Sequence, residues 1–377
     1  MKILYVANIR IPTEKAHGLQ IMNTCAALTS SGFDVQLVIP TRKNVIKADP
    51  FEYYGLNRNF SIKVISVPDV INLGWIGYAI QGIVFGLKLC SYVKVIRPEV
   101  VYSRDKGLLL LLSTFFKNLI WESHVGEYGL VTALLLKRIR GIVCISAGLQ
   151  DFYLTKGITS DKILVAHDGV EMAKFNLLED KKLFREKLSL PCDKVIVMYT
   201  GSVGLYDWKG VDVFLDAGVI LGDKFLFVLV GGSTKDIETL KEKYQSADLL
   251  FVGQQLHEII PEYLKAADIL VLPNKSGNII SERYTSPMKL FEYMASNRTI
   301  IASDLPSIRE VLNESNAYLV PPNSPEALSG AVLIAQGNKA EAEKRAGKAL
   351  TDVEEFSWEK RGEKINSFIQ KLYEKRS

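Results

Sequence analysis

The sequence has little that speaks for a bound metal or a disulfide. Its 377 residues hold four cysteines, Cys25, Cys90, Cys144 and Cys192, with no CxxC pair among them. Neither a disulfide framework nor a zinc site is expected, and the four read as buried small hydrophobes. No DxD-type carboxylate pair and no histidine cluster is present to hold a divalent ion on a nucleotide diphosphate, so no metal site is expected. The GxxxxGK[ST] spacing is missing, as is GxGxxG, which disfavours a P-loop protein and a nicotinamide enzyme. The start "MKILYVANIR" lacks the basic, apolar and small-residue blocks of a signal peptide, which leads to the expectation of a cytoplasmic protein. A net charge of +4 is too small to argue for nucleic acid.

What is present describes a globular chain. Hydrophobic residues make up 48% and charged residues 23%, with no low-complexity segment, so folding throughout is expected. The length exceeds what one core usually supports and predicts two domains of roughly 150 to 200 residues. "VINLGWIGYAIQGIVFGL", Val70 to Leu87, carries no charge and nears the length of a membrane span. Asn72, Gln81, its four glycines and the following "KLCSYVKVIRPEVVYS" make a buried helix leading into a strand the expected form. The basic clusters "KLCSYVKVIR" and "LLKRIRG" are compatible with attraction to a membrane surface, or with an ordinary solvated face.

Short apolar runs alternate with helical patterns along the first half: "KILYVAN", "DVQLVIP", "VVYSR", "LIWESH", "GIVCIS" and "ILVAHDG". The pattern restarts with "KVIVMYTG", "FLFVLVGG", "LLFVG", "ILVLPN" and "TIIASD". Strands apolar on both faces and separated by helices imply parallel, doubly wound sheets. The predicted class is therefore α/β with two such domains, at 1–180 and 181–356, and a charged linker near 172–193. The tail "EEFSWEKRGEKINSFIQKLYEKRS" is an amphipathic helix with Trp358, Ile365, Phe368 and Leu372 on one side, and its position permits a return to the first domain. Ligands of such folds bind beyond the carboxyl ends of strands and between domains, which is where the active site is expected.

Three segments carry candidate chemistry. In "TSPMKLFEYMAS", residues 285 to 296, Ser286 suits an N-cap and Pro287 the first helical position, so the helix start offers N–H groups to an anion. Lys289 in the first turn opposes the helix dipole unless an anion is near, and Glu292 fits a ligand with hydroxyls, such as a ribose. An ordinary i, i+3 surface pair of Lys289 with Glu292 is the competing reading. In "YTGSVGLYDWKGVDVFLDA", Gly201 and Gly204 allow close backbone approach, and Lys209 at a helix start suits a diphosphate. His17-Gly18 just before a helix supplies a further anion-friendly end. In "LIWESHVGEYG", His124 follows a strand and suits a sugar contact or a proton shuttle, against the alternative of a satisfied structural histidine.

With these residues in hand, the sequence resembles family 4 of the retaining glycosyltransferases. The likeness runs through "HGLQIMNTCAALTSSGFDVQLVIP", "GIVCISAGLQDFYLTKGITSDKILVAHDGVE", "VMYTGSVGLYDWKGVDVFLDA", "LKAADILVLPN", "SPMKLFEYMASNRTIIASDLPSIREVL" and the closing "FSWEK". It implies a GT-B fold of two facing Rossmann-like domains, with the C-terminal helix (357–377) returning to the first. It also implies retaining, metal-independent transfer of a sugar from a nucleotide-sugar donor, with no cofactor. The resemblance places Glu292 on the donor ribose, Lys209 on the diphosphate, Gly18 near the donor phosphate and His124 near the transferred sugar. The expected catalytic set is His124, Lys209 and Glu292. The expected donor-binding set is Gly18, Ser202, Lys209, Tyr284, Ser286, Pro287, Met288, Lys289 and Glu292.

Two positions depart from the family pattern. Where a second glutamate usually stands eight residues before Glu292, this chain has Tyr284, with Glu282 nearby. Where an arginine usually pairs with the diphosphate lysine, it has Ser202. Neutralisation would then lean on Lys209, Lys289 and backbone N–H groups. The expected donor is a UDP- or GDP-sugar, and the expected acceptor is a glycan or lipid-linked sugar in surface polysaccharide or lipopolysaccharide synthesis, with peripheral contact to the inner face of the plasma membrane. The alternatives are a catalytically impaired partner subunit and a sugar-nucleotide epimerase.

Overall fold

Ile3, Leu4, Tyr5 and Val6 have no polar face to turn to water, and all four are buried at the centre of a seven-stranded sheet. A computed structural model describes residues 1–374 apart from 178, 205 and 247. The chain falls into two units: Met1–His167 with the C-terminal helix Trp358–Glu374, and Asp168–Ser357.

The strands of the first unit are β1 (Lys2–Val6), β2 (Asp34–Pro40), β3 (Ser61–Ile65), β4 (Val100–Ser103), β5 (Leu119–Ser123), β6 (Gly141–Cys144) and β7 (Ile163–Val165). They pair in parallel in the order β3-β2-β1-β4-β5-β6-β7. The chain winds outward from β1 in one direction and then from β4 in the other. That reversal creates a switch point beyond the carboxyl ends of β1 and β4. The second unit repeats the plan with β8 (Val195–Thr200), β9 (Phe225–Val230), β10 (Leu249–Gly253), β11 (Ile269–Leu272), β12 (Thr299–Ser303) and β13 (Tyr318–Val320), in the order β10-β9-β8-β11-β12-β13. Its switch point lies between β8 and β11.

The boundary differs from the sequence expectation. It falls at 167/168, and the segment expected as a linker is part of the second unit. Phe175, Phe184 and Leu190 are buried in one core with Ile196 and Met198. Arg185 is buried as well, paired with Asp268 at 2.6 Å and donating to the Ala266 carbonyl at 2.9 Å. The other charges that made this stretch look like a linker lie on the outer side of the helix Lys181–Lys187, whose buried residues are Phe184 and Arg185. The C-terminal helix docks through Trp358, Ile365, Phe368 and Leu372, all buried, against the first unit's helix Ala16–Ser30. Gly362 marks the closest approach, since a methyl there would lie 2.5 Å from the Ala27 carbonyl oxygen.

The helix Gly74–Ile96 is also not what the sequence suggested. Gly77, Gln81, Phe85, Leu89 and Val93 bury one face at a spacing of four, but Trp75, Tyr78, Ile80, Ile83, Leu87 and Val95 are exposed, Trp75 by 81%. By length and composition the segment Ile71–Ile96, of mean hydropathy 1.5 in its most apolar window, could cross a membrane. Cysteine burial likewise holds for Cys25 and Cys144 only, Cys192 being exposed.

Candidate functional site

In the second unit the side chains collect at the β8/β11 switch point. β8 ends at Thr200, and the chain leaves through Gly201 at φ 138°, beside Gly231 at φ 133°. A methyl on Gly231 would lie 1.9 Å from the Gly201 carbonyl oxygen, so only glycine permits this crossing. The helix Met288–Ala295 is fastened to the same strand end, because the Tyr293 hydroxyl accepts from the Thr200 N–H at 2.8 Å. That contact brings the first turn of the helix over Gly201. The Lys289 ammonium lies 3.7 Å from the centre of the Tyr199 ring, and a methyl on Gly201 would come within 2.6 Å of Nζ.

Lys209 approaches from the other side. It closes the turn Asp207–Lys209, followed by Gly210 at φ 68°, and its ammonium donates to the Ser202 hydroxyl. Neither ammonium has a carboxylate at ion-pair distance among the described residues. Burial depresses the Lys209 pKa, and burial together with the Lys209 charge holds Lys289 well below the usual lysine range, with Glu292 only partly offsetting this. Two half-buried cations with no carboxylate at ion-pair distance leave a local deficit of negative charge, which an anionic ligand would fill.

Glu292 is 8% exposed, and its Oε1 accepts from His257 Nε2 at 2.8 Å. The surface pair of Lys289 with Glu292 therefore does not form, and the carboxylate is aimed by a histidine that sequence reading did not single out. His257 lies 35 residues away in the loop after β10, so only the fold brings the two together. Among the described residues no group of three or more His, Cys, Asp or Glu is placed to hold a metal ion.

In the first unit a polar cluster sits at the ends of β4 and β5. Glu122 is 1% exposed, accepts from Gln20, Tyr102 and His124, and forms an ion pair with Arg361. Arg104, just after β4, donates to Gln20 Oε1 at 3.0 Å. Burial would raise the Glu122 pKa, but the Arg361 guanidinium and the His124 hydrogen bond hold it well below the usual carboxylate range. Burial and the Arg104 charge push His124 down to about 4, so the ring is neutral at pH 7. Arg361, on the C-terminal helix, also donates to Thr24 Oγ1 at 3.1 Å and to the His167 carbonyl at 2.9 Å.

Comparison with known proteins follows the same outline. Residues 194–336 match the model of glycosyl transferases group 1. A glycosyltransferase of Methanocaldococcus jannaschii is 24% identical over 289 residues, 73% of this chain and 69% of that protein. The N,N'-diacetylbacillosaminyl-diphospho-undecaprenol alpha-1,3-N-acetylgalactosaminyltransferase of Campylobacter jejuni is 26% identical over 191 residues, 49% of this chain and 47% of that protein. The chain thus spans about half the length of that second relative. Among solved structures, Anabaena HepE in complex with UDP superposes with a TM-score of 0.75 at 15% identity, over 98% of this chain and 100% of that one. The fold is GT-B.

Within this GT-B chain, the donor-side residues named from the sequence come together in part. Ser202, Lys209, Lys289 and Glu292 share the β8/β11 switch point. Ser286 is not the N-cap: Pro287 holds that position without a side-chain cap, Met288 is the first helical residue, and the Ser286 hydroxyl accepts from the Asp168 N–H at 3.1 Å. The proline ring fixes φ near the value a chain entering a helix needs, which lets it take the cap position itself. Tyr284 is buried, at 8% exposure, and Glu282 is committed to its own loop, where it accepts from the Gly277 N–H at 2.7 Å. On the first unit, His17 and Gly18 lie inside the helix Ala16–Ser30 rather than before it. Gly18 is required there by packing, since a methyl would lie 2.2 Å from the Tyr54 hydroxyl.

Proposed function

We propose that the chain is a retaining glycosyltransferase that moves a sugar from a UDP- or GDP-sugar to a glycan or lipid-linked acceptor, without a metal ion. The observation that carries this reading is the pair of half-buried ammonium groups, Lys209 and Lys289, with no carboxylate at ion-pair distance among the described residues and with Glu292 one helical turn from Lys289. A nucleoside diphosphate matches it in charge and shape: the phosphates fit the two cations, and the ribose hydroxyls fit the carboxylate. The relatives named above support a sugar-transfer role, and the UDP held by HepE supports a nucleotide donor.

In the reaction, the bond from the anomeric carbon to the diphosphate oxygen breaks and its electron pair leaves with the diphosphate. The acceptor oxygen bonds to the same face, and its proton passes to the departing phosphate. Fixed cations that stabilise the leaving group supply the main catalytic effect, with no reorganisation during the step. Tyr284 and Ser202 motivated the impaired-subunit alternative; Lys289 answers the second of these by placing a cation beside residue 201. The exposed apolar face of Gly74–Ile96 and the nearby Lys88 and Lys94 fit peripheral contact with a membrane that carries the acceptor.

The test is hydrolysis of UDP-glucose and GDP-mannose in the absence of acceptor, followed by proton NMR of the first-released sugar. Release of the donor's own anomer supports retaining transfer. Release of the opposite anomer, or of an epimerised sugar, contradicts it.

A further inference from the structure

Glu122 gathers three hydrogen-bond donors and one ion-pair partner around one carboxylate. Gln20 Nε2 and His124 Nε2 reach Oε1 at 2.5 and 2.6 Å, while the Tyr102 hydroxyl and Arg361 Nη2, the latter at 3.2 Å, reach Oε2. An ionised carboxylate only accepts, and three of its about four lone-pair sites are taken by Gln20, Tyr102 and His124, while the Arg361 ion pair balances its charge. The nitrogen facing it must carry the hydrogen, and in a neutral imidazole the other nitrogen is then bare. His124 stays neutral because burial and the Arg104 charge disfavour its protonated form, with Arg361, which pairs with Glu122, adding a smaller push.

We propose that Glu122, clamped by Arg361 of the C-terminal helix, is a positioning residue that holds His124 as the Nε2–H tautomer, so that the ring presents Nδ1 purely as a hydrogen-bond acceptor for a sugar hydroxyl. The sugar as ligand rests on the transferase reading above; the tautomer does not. One consequence is that His124 cannot act as a general acid from this ring face. Another is that a hydroxyl seated on Nδ1 cannot be replaced by fluorine, which has no hydrogen to give. A third is that the last helix of the chain, 239 residues from Glu122 in sequence, is part of the site, holding the carboxylate that in turn holds the ring. The arrangement follows the same logic by which a second group orients a catalytic or ligating histidine in other sites.

The experiment is nitrogen–proton correlation NMR of the full chain labelled with nitrogen-15 in histidine, at pH 7 and without nucleotide. The chain has four histidines, and His124→Asn removes one set of peaks and so assigns it. The expected spectrum shows His124 as one neutral tautomer with a protonated Nε2 and a bare Nδ1. An Nδ1–H tautomer, a mixture, or an imidazolium would overturn the proposal. Glu122→Met combined with Arg361→Met removes the clamp without leaving a buried guanidinium unpaired. In that variant the ring is expected to relax to a tautomer mixture; retention of pure Nε2–H would show that the clamp does not set it. If the double variant does not fold, the wild-type spectrum still decides. Because no nucleotide is present, failure of this proposal and failure of the transferase reading are separately visible.

Discussion

At the scale of single residues, the two lysines behave differently from ordinary surface cations. Lys289 has its pKa depressed by burial and by Lys209. The unfolded chain therefore binds a proton that the folded chain resists, and the sign follows: stability rises with pH from the depressed value up to the free-lysine value of 10.5, above which both states are neutral. Lys289→Met is predicted to be at least as stable as wild type at pH 7 and to lose that part of the pH dependence, as read from melting temperatures across the range. The same variant should weaken nucleoside-diphosphate binding by about 1.5–3 kcal/mol, roughly ten- to a hundredfold, the worth of one charge-assisted contact. His17, His124 and His167 show the same sign in the acid range, each lowered to about 4 chiefly by burial. Their contribution is complete above the model histidine value of 6.5 and is lost as pH falls toward 4. Removing one of them, as in His124→Asn, should flatten the decline of melting temperature over that interval.

At the scale of elements, two helices allow a direct test. Helix propensity alone says that Gly362→Ala should stabilise the C-terminal helix by about 1 kcal/mol. The added methyl would, however, meet the Ala27 carbonyl oxygen at 2.5 Å, a backbone atom of a packed helix that has little room to move. Overpacking of this kind costs about 1–3 kcal/mol, so the net prediction is a loss of stability, measured by denaturant unfolding. The helix Gly74–Ile96 leaves Trp75 and Ile83 exposed by 81% and 63%. If that face meets lipid, Trp75→Ser with Ile83→Ser should reduce sedimentation with anionic phospholipid vesicles while leaving nucleotide binding unchanged; equal sedimentation would remove the membrane proposal. Most elements were legible because their runs are apolar on both faces. The strand Ser61–Ile65 was not, since it sits at a sheet edge with four of its five residues at least partly open to solvent. Tyr318–Val320 is only three residues long and also lies at an edge, too short to show a period. The exposed half of Gly74–Ile96 was hidden for the converse reason: its outer face is as apolar as its inner one, so the sequence holds no contrast to read.

At the scale of the whole molecule, the two-sheet plan and the separate residues of the candidate site were legible in the sequence, but not the partners that aim them. Lys209, Lys289 and Glu292 could be named because glycine-flanked turns and a cation at a helix start are local signals. His257 and Arg361 could not, since the first meets Glu292 from 35 residues away and the second meets Glu122 from the far end of the chain. The central claim is that the uncompensated lysine pair and Glu292 bind a nucleoside diphosphate, and titration calorimetry with UDP, GDP and ADP tests it most directly. The titrations are run with magnesium and with EDTA, on wild type, Lys209→Ala and Glu292→Ala. The account predicts that one nucleotide binds wild type equally well in both buffers and that each variant binds it at least about tenfold more weakly, a difference of about 1.4 kcal/mol. Absence of binding by wild type, or wild-type affinity in both variants, would contradict it.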